Sequence, residues 1–270
     1  ERGGFDLING NPPWISIDLD ESGVASEINP EVIIRGFSSP KIKLLCKTLI
    51  DNDPNFKDDY FIENIWASST KTFLGAFQNY PSLLGQRNNL YKSIMCSSFE
   101  LANKSGFIGL VHPESVYDES NAFKLREVMY KRLCFHFHFR NEKKLFAEVG
   151  NQFNFSVNIY SGKEGPVQFD SINNLFVTKT IDGIYTHSGL DICGGIKVKN
   201  KNGDFEWNIY PHADRKIQVD KAVLSVIAQT FENGADWSGS KLTSIHSKQI
   251  ISVLSKLSEY QFRLADIKFI

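Results

Sequence analysis

The stretch FDLINGNPPWISID, residues 5–18, decides how the rest of the sequence is interpreted. Residues 5–8 are apolar apart from Asp6 and precede a glycine-containing turn, which predicts a short buried strand. The strand leads into Asn-Pro-Pro-Trp, residues 11–14, where an amide, two rigid imino acids and a large aromatic ring follow one another. Strand ends seldom need that combination of side chains, whereas active sites do, so this turn is the first candidate for a functional site.

The composition is that of a globular protein without a dominant charge. The 270 residues include 30 Lys and Arg against 31 Asp and Glu, which disfavours a chain that is basic throughout but allows a local basic face. The four cysteines are scattered without the spacing of a disulfide framework, which favours the bacterial cytoplasm as compartment. No apolar run approaches the roughly 20 residues that span a bilayer, so we expect no membrane partner.

Apolar periodicity predicts helices that alternate with strands. The helices are expected at residues 41–49, 60–77, 89–103 and 122–133, and the strands at residues 107–111, 134–139 and 155–160. Residues 51–59 are expected to form a polar loop. The alternation indicates an α/β fold with a three-layer arrangement, in which the last two strands pair antiparallel at one edge of the sheet.

The character of the sequence changes after about Gly165, where turn signals become frequent. Asn-Gly at 202–203 predicts a β-hairpin between residues 196–198 and 205–207. Helices are predicted at residues 220–231 and 247–257. We therefore expect residues 1–164 to form one region and residues 165–270 a second, mixed α+β region that serves target recognition or an accessory role.

The Asn-Pro-Pro-Trp turn offers hydrogen-bond acceptors beside a flat ring. In open α/β sheets ligands bind beyond the carboxyl ends of strands, which is where Asn11 is expected to lie. Pro12 and Pro13 fix φ and lack an N–H group, so they form a stiff turn with free carbonyl oxygens. If the Asn11 amide oxygen and the Pro12 carbonyl accept from an exocyclic amino group such as adenine N6, its lone pair can be directed at an electrophile. Trp14 would then stack on the ring and hold it still.

FDLINGNPPW, residues 5–14, resembles the Asn-Pro-Pro-aromatic motif of amino-methylating methyltransferases, especially the N6-adenine DNA methyltransferases. Residues 89–133 resemble the helix–strand–helix segment that follows the motif in that family. The matching residues are Gly106, Pro113, Leu125 and Arg126. Residues 139–162 resemble the stretch in which a loop aromatic helps to hold the flipped adenine, a role that falls by position to Phe146, with Phe153 as the alternative.

The resemblance implies that residues 1–164 are the catalytic half of a Rossmann-like methyltransferase three-layer sandwich. It implies methyl transfer from S-adenosylmethionine to N6 of a flipped adenine, with catalytic roles for Asn11, Pro12, Pro13 and Trp14. The roughly 75 residues between Trp14 and residue 89 exceed ordinary connection lengths, which predicts an insertion at about 16–88. Insertions of this kind resemble those of large bacterial restriction-modification and phage-defence methylases. The implied partners are double-stranded DNA and nuclease or other defence-system subunits.

The family binds S-adenosylmethionine through a Gly-rich loop ahead of the Asn-Pro-Pro motif, and only four residues precede Phe5 here. We therefore expect the cofactor-binding loop to lie upstream and the chain to be inactive on its own. The DICGG segment, residues 191–195, leads into a hairpin pattern, which favours a turn over a cofactor loop. Two alternatives stay open: an RNA or protein-glutamine amino-methyltransferase, and a degenerate, non-enzymatic DNA-binding methylase module.

Two further patterns have competing interpretations. Cys134, His136 and His138 alternate along one strand and have zinc-ligand chemistry, but no fourth ligand is evident, which favours a partly buried strand without metal. Basic clusters would contact phosphates if the chain binds DNA, and are otherwise exposed faces. These clusters are Lys143 with Lys144, Lys197 with Lys199 and Lys201, and Arg215 with Lys216.

Overall fold

The computed structural model describes residues 3–260. The chain forms two compact units: the first contains the residues up to Trp14 and those from Ile94 onward, and the second is Ile15–Ser93. The second unit has nearly the bounds of the insertion expected at about 16–88. The boundary expected near Gly165 does not coincide with a division of the fold, because strands before and after it share one sheet.

The first unit is built on a six-stranded mixed sheet with the order β1-β2-β4-β3-β5-β8. β1 is parallel to β2 and β3 is parallel to β5, whereas β4 runs antiparallel to both β2 and β3, and β8 runs antiparallel to β5. Consequently β1, β2, β3 and β5 all end on one side, here called the carboxyl end of the sheet. The strands are β1 (Phe5–Gly10), β2 (Ala102–Pro113), β3 (Leu133–Arg140), β4 (Asn154–Ser161), β5 (Gln168–Leu175), β6 (Lys197–Lys199), β7 (Phe205–Trp207) and β8 (Lys216–Asp220).

The sheet departs from two expectations. The predicted antiparallel pairing of the last two expected strands, β3 and β4, is confirmed. Its expected place at an edge is wrong, because β4 lies between β2 and β3, and β3 also pairs with β5, a strand that the sequence did not predict. The burial of β1 is also wrong: Phe5 is 58% and Leu7 68% exposed. Within the described residues β1 is an edge strand that pairs only with β2.

Helices cover both faces of the sheet, which gives three layers. On one face Phe99 of α5 packs against Tyr160, and Tyr130 of α6 stacks on Phe169 at 5.7 Å. On the opposite face Ile184 of α7 joins the aromatic cluster of β3 and β4. The helices of this unit are α5 (Leu90–Leu101, from Ile94 onward), α6 (Phe123–Tyr130), α7 (Lys179–Thr186), α8 (Lys221–Phe231) and α9 (Lys248–Ser258).

The second unit is helical, with a small core in which Ala25 and Phe56 are buried. Its helices are α1 (Glu21–Ile28), α2 (Glu31–Ile34), α3 (Ser39–Asn52) and α4 (Pro54–Gly75). The polar loop expected at residues 51–59 is wrong, because the Asp53 carboxylate accepts from the backbone N–H groups of Asn55 and Phe56 and starts α4 at once. Proline at the first helical position strengthens the same start. Within residues 3–260 no helix is long and apolar enough to cross a membrane.

Two residues singled out by the family resemblance have packing roles. A Cβ atom at Gly106 would lie 2.7 Å from the Phe5 carbonyl oxygen, so glycine allows β1 to approach β2 there. Arg126 is 1% exposed, and its guanidinium donates to the carbonyls of Gly239 at 2.9 Å and Val116 at 3.0 Å. The Arg126 side chain thus ties α6 to two segments distant in sequence.

The face of the sheet beneath α6 carries a buried network of polar side chains. His112 is fully buried, and its Nε2 accepts from the Asn158 amide and lies 2.9 Å from the Tyr160 hydroxyl. Nδ1 lies 2.9 Å from the Pro113 carbonyl, to which it donates. The Tyr117 hydroxyl donates to the Asn158 amide oxygen at 2.7 Å. These bonds suit a neutral imidazole, and burial lowers the pKa of His112 to about 4.

A second buried group lies on the same face at β3. His136 Nε2 lies 3.1 Å from the Glu114 carboxylate and its Nδ1 lies 2.9 Å from the Ser171 hydroxyl. Burial opposes ionisation of Glu114, but the adjacent histidines outweigh it and hold the pKa of this carboxyl below its ordinary value. His138 accepts at Nδ1 from the Asn174 backbone N–H, and burial lowers its pKa to about 4. Acid therefore has to protonate buried, neutral histidines.

We predict that stability falls as the pH is lowered from about 6.5 towards 5, because the unfolded chain takes up protons at histidine values near 6.5 whereas native His112 and His138 stay neutral. The sign follows from linkage, and each histidine contributes a slope of about 1.4 kcal/mol per pH unit within this window. Urea unfolding at pH 8, 7, 6 and 5 measures it.

A variant separates the histidines from the rest of the chain. His138→Asn keeps an acceptor for the Asn174 N–H, and its stability should depend less steeply on pH between 6.5 and 5, with an unchanged slope between pH 7 and 8. Identical slopes for the variant and the parent in the acidic window would contradict the assignment.

Candidate active site at the carboxyl end of the sheet

The Asn-Pro-Pro-Trp turn follows β1 directly and lies at the carboxyl end of the sheet, as predicted from the sequence. The last residue of β1, Gly10, pairs with Leu110, so the turn begins beside the final residues of β2. Asn11 is exposed and Pro12 is buried. No hydrogen bond within residues 3–260 uses the Asn11 side chain or the Pro12 carbonyl. Two acceptor oxygens on adjacent residues are therefore available to a ligand.

Trp14 is fixed by contacts to two strands. Its indole N–H donates to the Val111 carbonyl of β2 at 3.3 Å, and its half-buried ring packs against Phe155 of β4 with centroids 6.2 Å apart. The same ring joins the cluster that contains Phe139 and Ile184. Because the polar atom of the indole is occupied by the backbone, only the faces and edges of the Trp14 ring can contact a ligand.

The loop between β3 and β4 brings Phe146 to the same place. The Phe146 ring lies 5.5 Å from the Trp14 ring at an interplanar angle of 66°, and 4.7 Å from Phe155 at 84°. Phe153, the alternative for the loop aromatic, is 61% exposed, and within the described residues its ring has no contact with Trp14. The structure therefore joins Phe146, and not Phe153, to the turn that carries Asn11.

The mutual contact of the two rings limits how a planar ligand can bind. A ring inserted between two parallel rings needs their planes about 7 Å apart, twice a carbon–carbon contact distance of about 3.5 Å. Trp14 and Phe146 are closer than this and steeply inclined to each other. A base would therefore lie against the two rings, stacked on one and meeting the other at its edge, rather than between them.

Asn141 is a functional candidate that the sequence analysis missed. It is fully buried, and its amide donates to the carbonyls of Phe146 at 2.9 Å and Val149 at 2.8 Å. Its side-chain oxygen accepts from the Phe146 backbone N–H at 3.0 Å. One side chain thus closes the loop and fixes the backbone of Phe146. An asparagine after a strand is a common turn residue, so its type alone does not reveal partners five and more residues away.

The strand with alternating Cys and His has protein partners. His136 and His138 share the buried polar face described above, and the Cys134 sulfur lies 3.6 Å from the Arg132 carbonyl. The pairing of β3 with β4 shifts register between Leu133 and Phe135, next to Cys134. In the described part of the chain no group of three or more His, Cys, Asp or Glu side chains is arranged to hold a metal ion.

The glycines of DICGG serve packing rather than a phosphate. Gly195 has φ +91°, and its N–H donates to the Asn208 carbonyl at 2.8 Å. A Cβ atom at Gly194 would lie 2.3 Å from the Tyr210 carbonyl oxygen. The segment leads into the hairpin of β6 and β7, as predicted, and not into a helix.

Comparison with known proteins gives only distant similarities. No family model matches the chain, and no curated protein matches it. Three solved structures are similar. They are a type I restriction-modification methyltransferase subunit from Streptococcus thermophilus (12% identity, TM-score 0.38, 72% of this chain and 34% of that chain), the type I restriction enzyme EcoKI M protein (14%, 0.35, 66% and 47%), and the ATP-dependent type ISP restriction-modification enzyme LlaBIII bound to DNA (12%, 0.32, 63% and 10%).

The chain spans about a third of the length of the first of these structures and less than half of the second. At these identities and TM-scores the similarities do not assign the chain to a family. The proposal for its function therefore rests on the residues of the site.

We predict that Asn141→Ala loosens the loop that carries Phe146. Loss of the amide leaves two backbone carbonyls without their donor, which should lower the free energy of unfolding by about 1–3 kcal/mol. Hydrogen exchange measures the local effect, since the Phe146 amide loses its acceptor and should exchange faster. The matched control is Asn200→Ala, which removes acceptors only in the turn between β6 and β7. Equal exchange at Phe146 in all three proteins would show that Asn141 does not hold the loop.

Proposed function

We propose that the protein is an adenine-specific DNA methyltransferase of a bacterial restriction-modification or phage-defence system. The observation that carries the proposal is the position of Asn11, Pro12 and Trp14 after β1, with Phe146 brought against Trp14 from a distant loop. The reaction would transfer a methyl group from S-adenosylmethionine to N6 of an adenine that has left the double helix.

The two free oxygens suit the amino group of adenine. The Asn11 amide oxygen and the Pro12 carbonyl can each accept one N6 hydrogen, which directs the nitrogen lone pair out of the ring plane. Proline at residues 12 and 13 removes two N–H donors that would compete for these oxygens, and it stiffens the turn. Such preorganised acceptors stabilise positive charge as it develops on N6 without a strong general base.

The aromatic rings supply a surface for the base once it is extruded. Extrusion from the duplex costs roughly a few kcal/mol, which stacking on an aromatic ring offsets in part. Trp14 is held by its bond to Val111, so its ring is oriented before the base arrives. Phe146 stands at a steep angle to it and would contact the edge of the base, while Phe153 takes no part.

The described residues fit the acceptor side of the reaction. S-adenosylmethionine would supply the methyl group, but the one glycine pair at a strand junction, residues 194–195, is packed against residues 208 and 210 and does not fit a cofactor loop. We therefore assign no described residue to the methyl donor. In this proposal the chain's own residues bind, orient and deprotonate by position the amino group that is methylated.

The proposal is tested with the product of the whole gene. Incubation with plasmid DNA and tritiated S-adenosylmethionine, followed by digestion to nucleosides, should give label in N6-methyldeoxyadenosine. Label in RNA or protein but not in DNA would replace the proposal with another amino-methyltransferase. DNA binding without label in any acceptor would favour a degenerate, non-enzymatic module.

The role of Asn11 is tested by two substitutions in the same protein. Asn11→Ala removes the acceptor and should lower methyl transfer roughly 100-fold or more while S-adenosylmethionine binding is retained. Asn11→Asp keeps acceptor oxygens at the same position and should retain more activity than alanine. The matched control is Asn64→Ala, at an exposed position of α4, which should transfer methyl groups at the parental rate. Parental activity in Asn11→Ala would refute the assigned role.

A further inference from the structure

The hairpin of β6 and β7 is anchored at the carboxyl end of the sheet. Trp207 of β7 stacks on Phe176, which follows the last residue of β5, with ring centroids 4.7 Å apart. On β3, the guanidinium of the final residue, Arg140, lies 4.9 Å from the Trp207 centroid. Two strands of the main sheet thus hold the hairpin at the end where Asn11 and Trp14 lie.

One face of this hairpin combines cations with aromatic rings. Lys197 pairs with Trp207 and Lys199 pairs with Phe205, and residues directly opposite in an antiparallel pair share a face. The ammonium of Lys197 lies 5.0 Å from the Trp207 centroid, and that of Lys199 lies 5.7 Å from the Phe205 centroid. We call these four residues the hairpin face. The third cross-strand pair, Val198 with Glu206, lies on the other side.

The hairpin face is accessible and its positive charge is not neutralised locally. Lys197 and Lys199 are exposed, and Phe205 is 66% exposed. Within residues 3–260 neither lysine forms an ion pair, whereas Lys71, for example, lies 2.7 Å from Asp18. Arg140 adds a further cation beside Trp207. An exposed aromatic ring between uncompensated cations is the pattern that proteins use to hold a nucleic-acid strand.

We propose that the hairpin face binds the phosphate backbone of the DNA next to the base that is methylated. Lys197 and Lys199 contact phosphates, Arg140 supports them from β3, and Phe205 packs against the exposed sugars or bases. Charge complementarity identifies the partner, since the only carboxylates of the hairpin, Asp204 and Glu206, lie in its turn and on its other side. The inference rests on the proposed function, because a DNA substrate is what would reach this end of the sheet.

Contacts of this kind position DNA without reading its sequence. Each phosphate neutralised by a lysine releases counterions, so the slope of log K against log salt changes by about 0.9 per contact. Removal of two contacts should therefore weaken binding equally for duplexes of different sequence and make the slope shallower by about 2. A ligand that stacks on Phe205 alone would show no such loss of slope.

The experiment uses the product of the whole gene and fluorescence anisotropy with labelled 30-base-pair duplexes at 50–200 mM salt. The test variant is Lys197→Gln with Lys199→Gln, and its salt slope should be shallower than the parental slope by about 2. The matched control is Lys104→Gln with Lys163→Gln, which has the same change in charge. Lys104 lies near the start of β2 and Lys163 just beyond the end of β4, so both exposed lysines lie at the other end of the sheet. The control slope should be parental.

The outcomes separate this inference from the proposed function. A parental slope in the test variant, or an equal loss in the control, overturns the role of the hairpin face even if adenine is methylated. A loss of slope in the test variant alone supports it, even if no methyl group is transferred and the proposed function fails. A loss seen only with RNA ligands would overturn the assignment to DNA.

Discussion

Everything proposed for this chain depends on one constraint of the sheet: β1, β2, β3 and β5 end on the same side. The antiparallel strand β4 between β2 and β3 makes this possible, because the chain returns along β4 after the loop that carries Phe146. Backbone pairing thereby gathers the turn after β1, the loop after β3 and the segment after β5. Groups far apart in sequence meet without any bond that is specific to them.

Side chains then fix what the sheet has gathered. Trp14 uses its polar atom on β2, and Asn141 uses its amide oxygen and nitrogen on the Phe146 loop. What remains uncommitted is the Asn11 amide, the Pro12 carbonyl and the open surfaces of aromatic rings. A site whose framework is satisfied and whose reacting groups are not is preorganised, since little has to be rearranged when a ligand arrives.

The sequence predicted the elements whose buried face is apolar, and failed where the buried face is polar. The helices α3, α5, α6, α8 and α9 and the hairpin of β6 and β7 appear where periodicity placed them. β5 has the sequence QFDSINNL, and its buried Ser171 and Asn173 hide the alternation that would have revealed a strand. Ser171 is buried only because His136 and Asn173 bond to it, and such partners are not visible in a local window of sequence.

The site was predictable to the same extent. Asn-Pro-Pro-Trp is local, so its residue types alone indicated acceptors beside a ring. The contact of Trp14 with Phe146 and the bonds of Asn141 depend on how β3 and β4 pair, which is long-range information. The expected burial of β1 was wrong for a related reason, because a strand's hydrophobicity does not say how many neighbours it has.

The exposed flank of the sheet has a practical consequence. Leu7 of β1 pairs with Phe107 of β2, and both side chains are more than half exposed, beside the unpaired backbone of β1. An apolar rim with free N–H and C=O groups is a template for another strand. Because Asn11 lies beyond the end of β1 rather than along its side, the sheet can grow at this rim without reshaping the turn. In a purified sample the same rim would make the chain self-adhesive as its concentration rises.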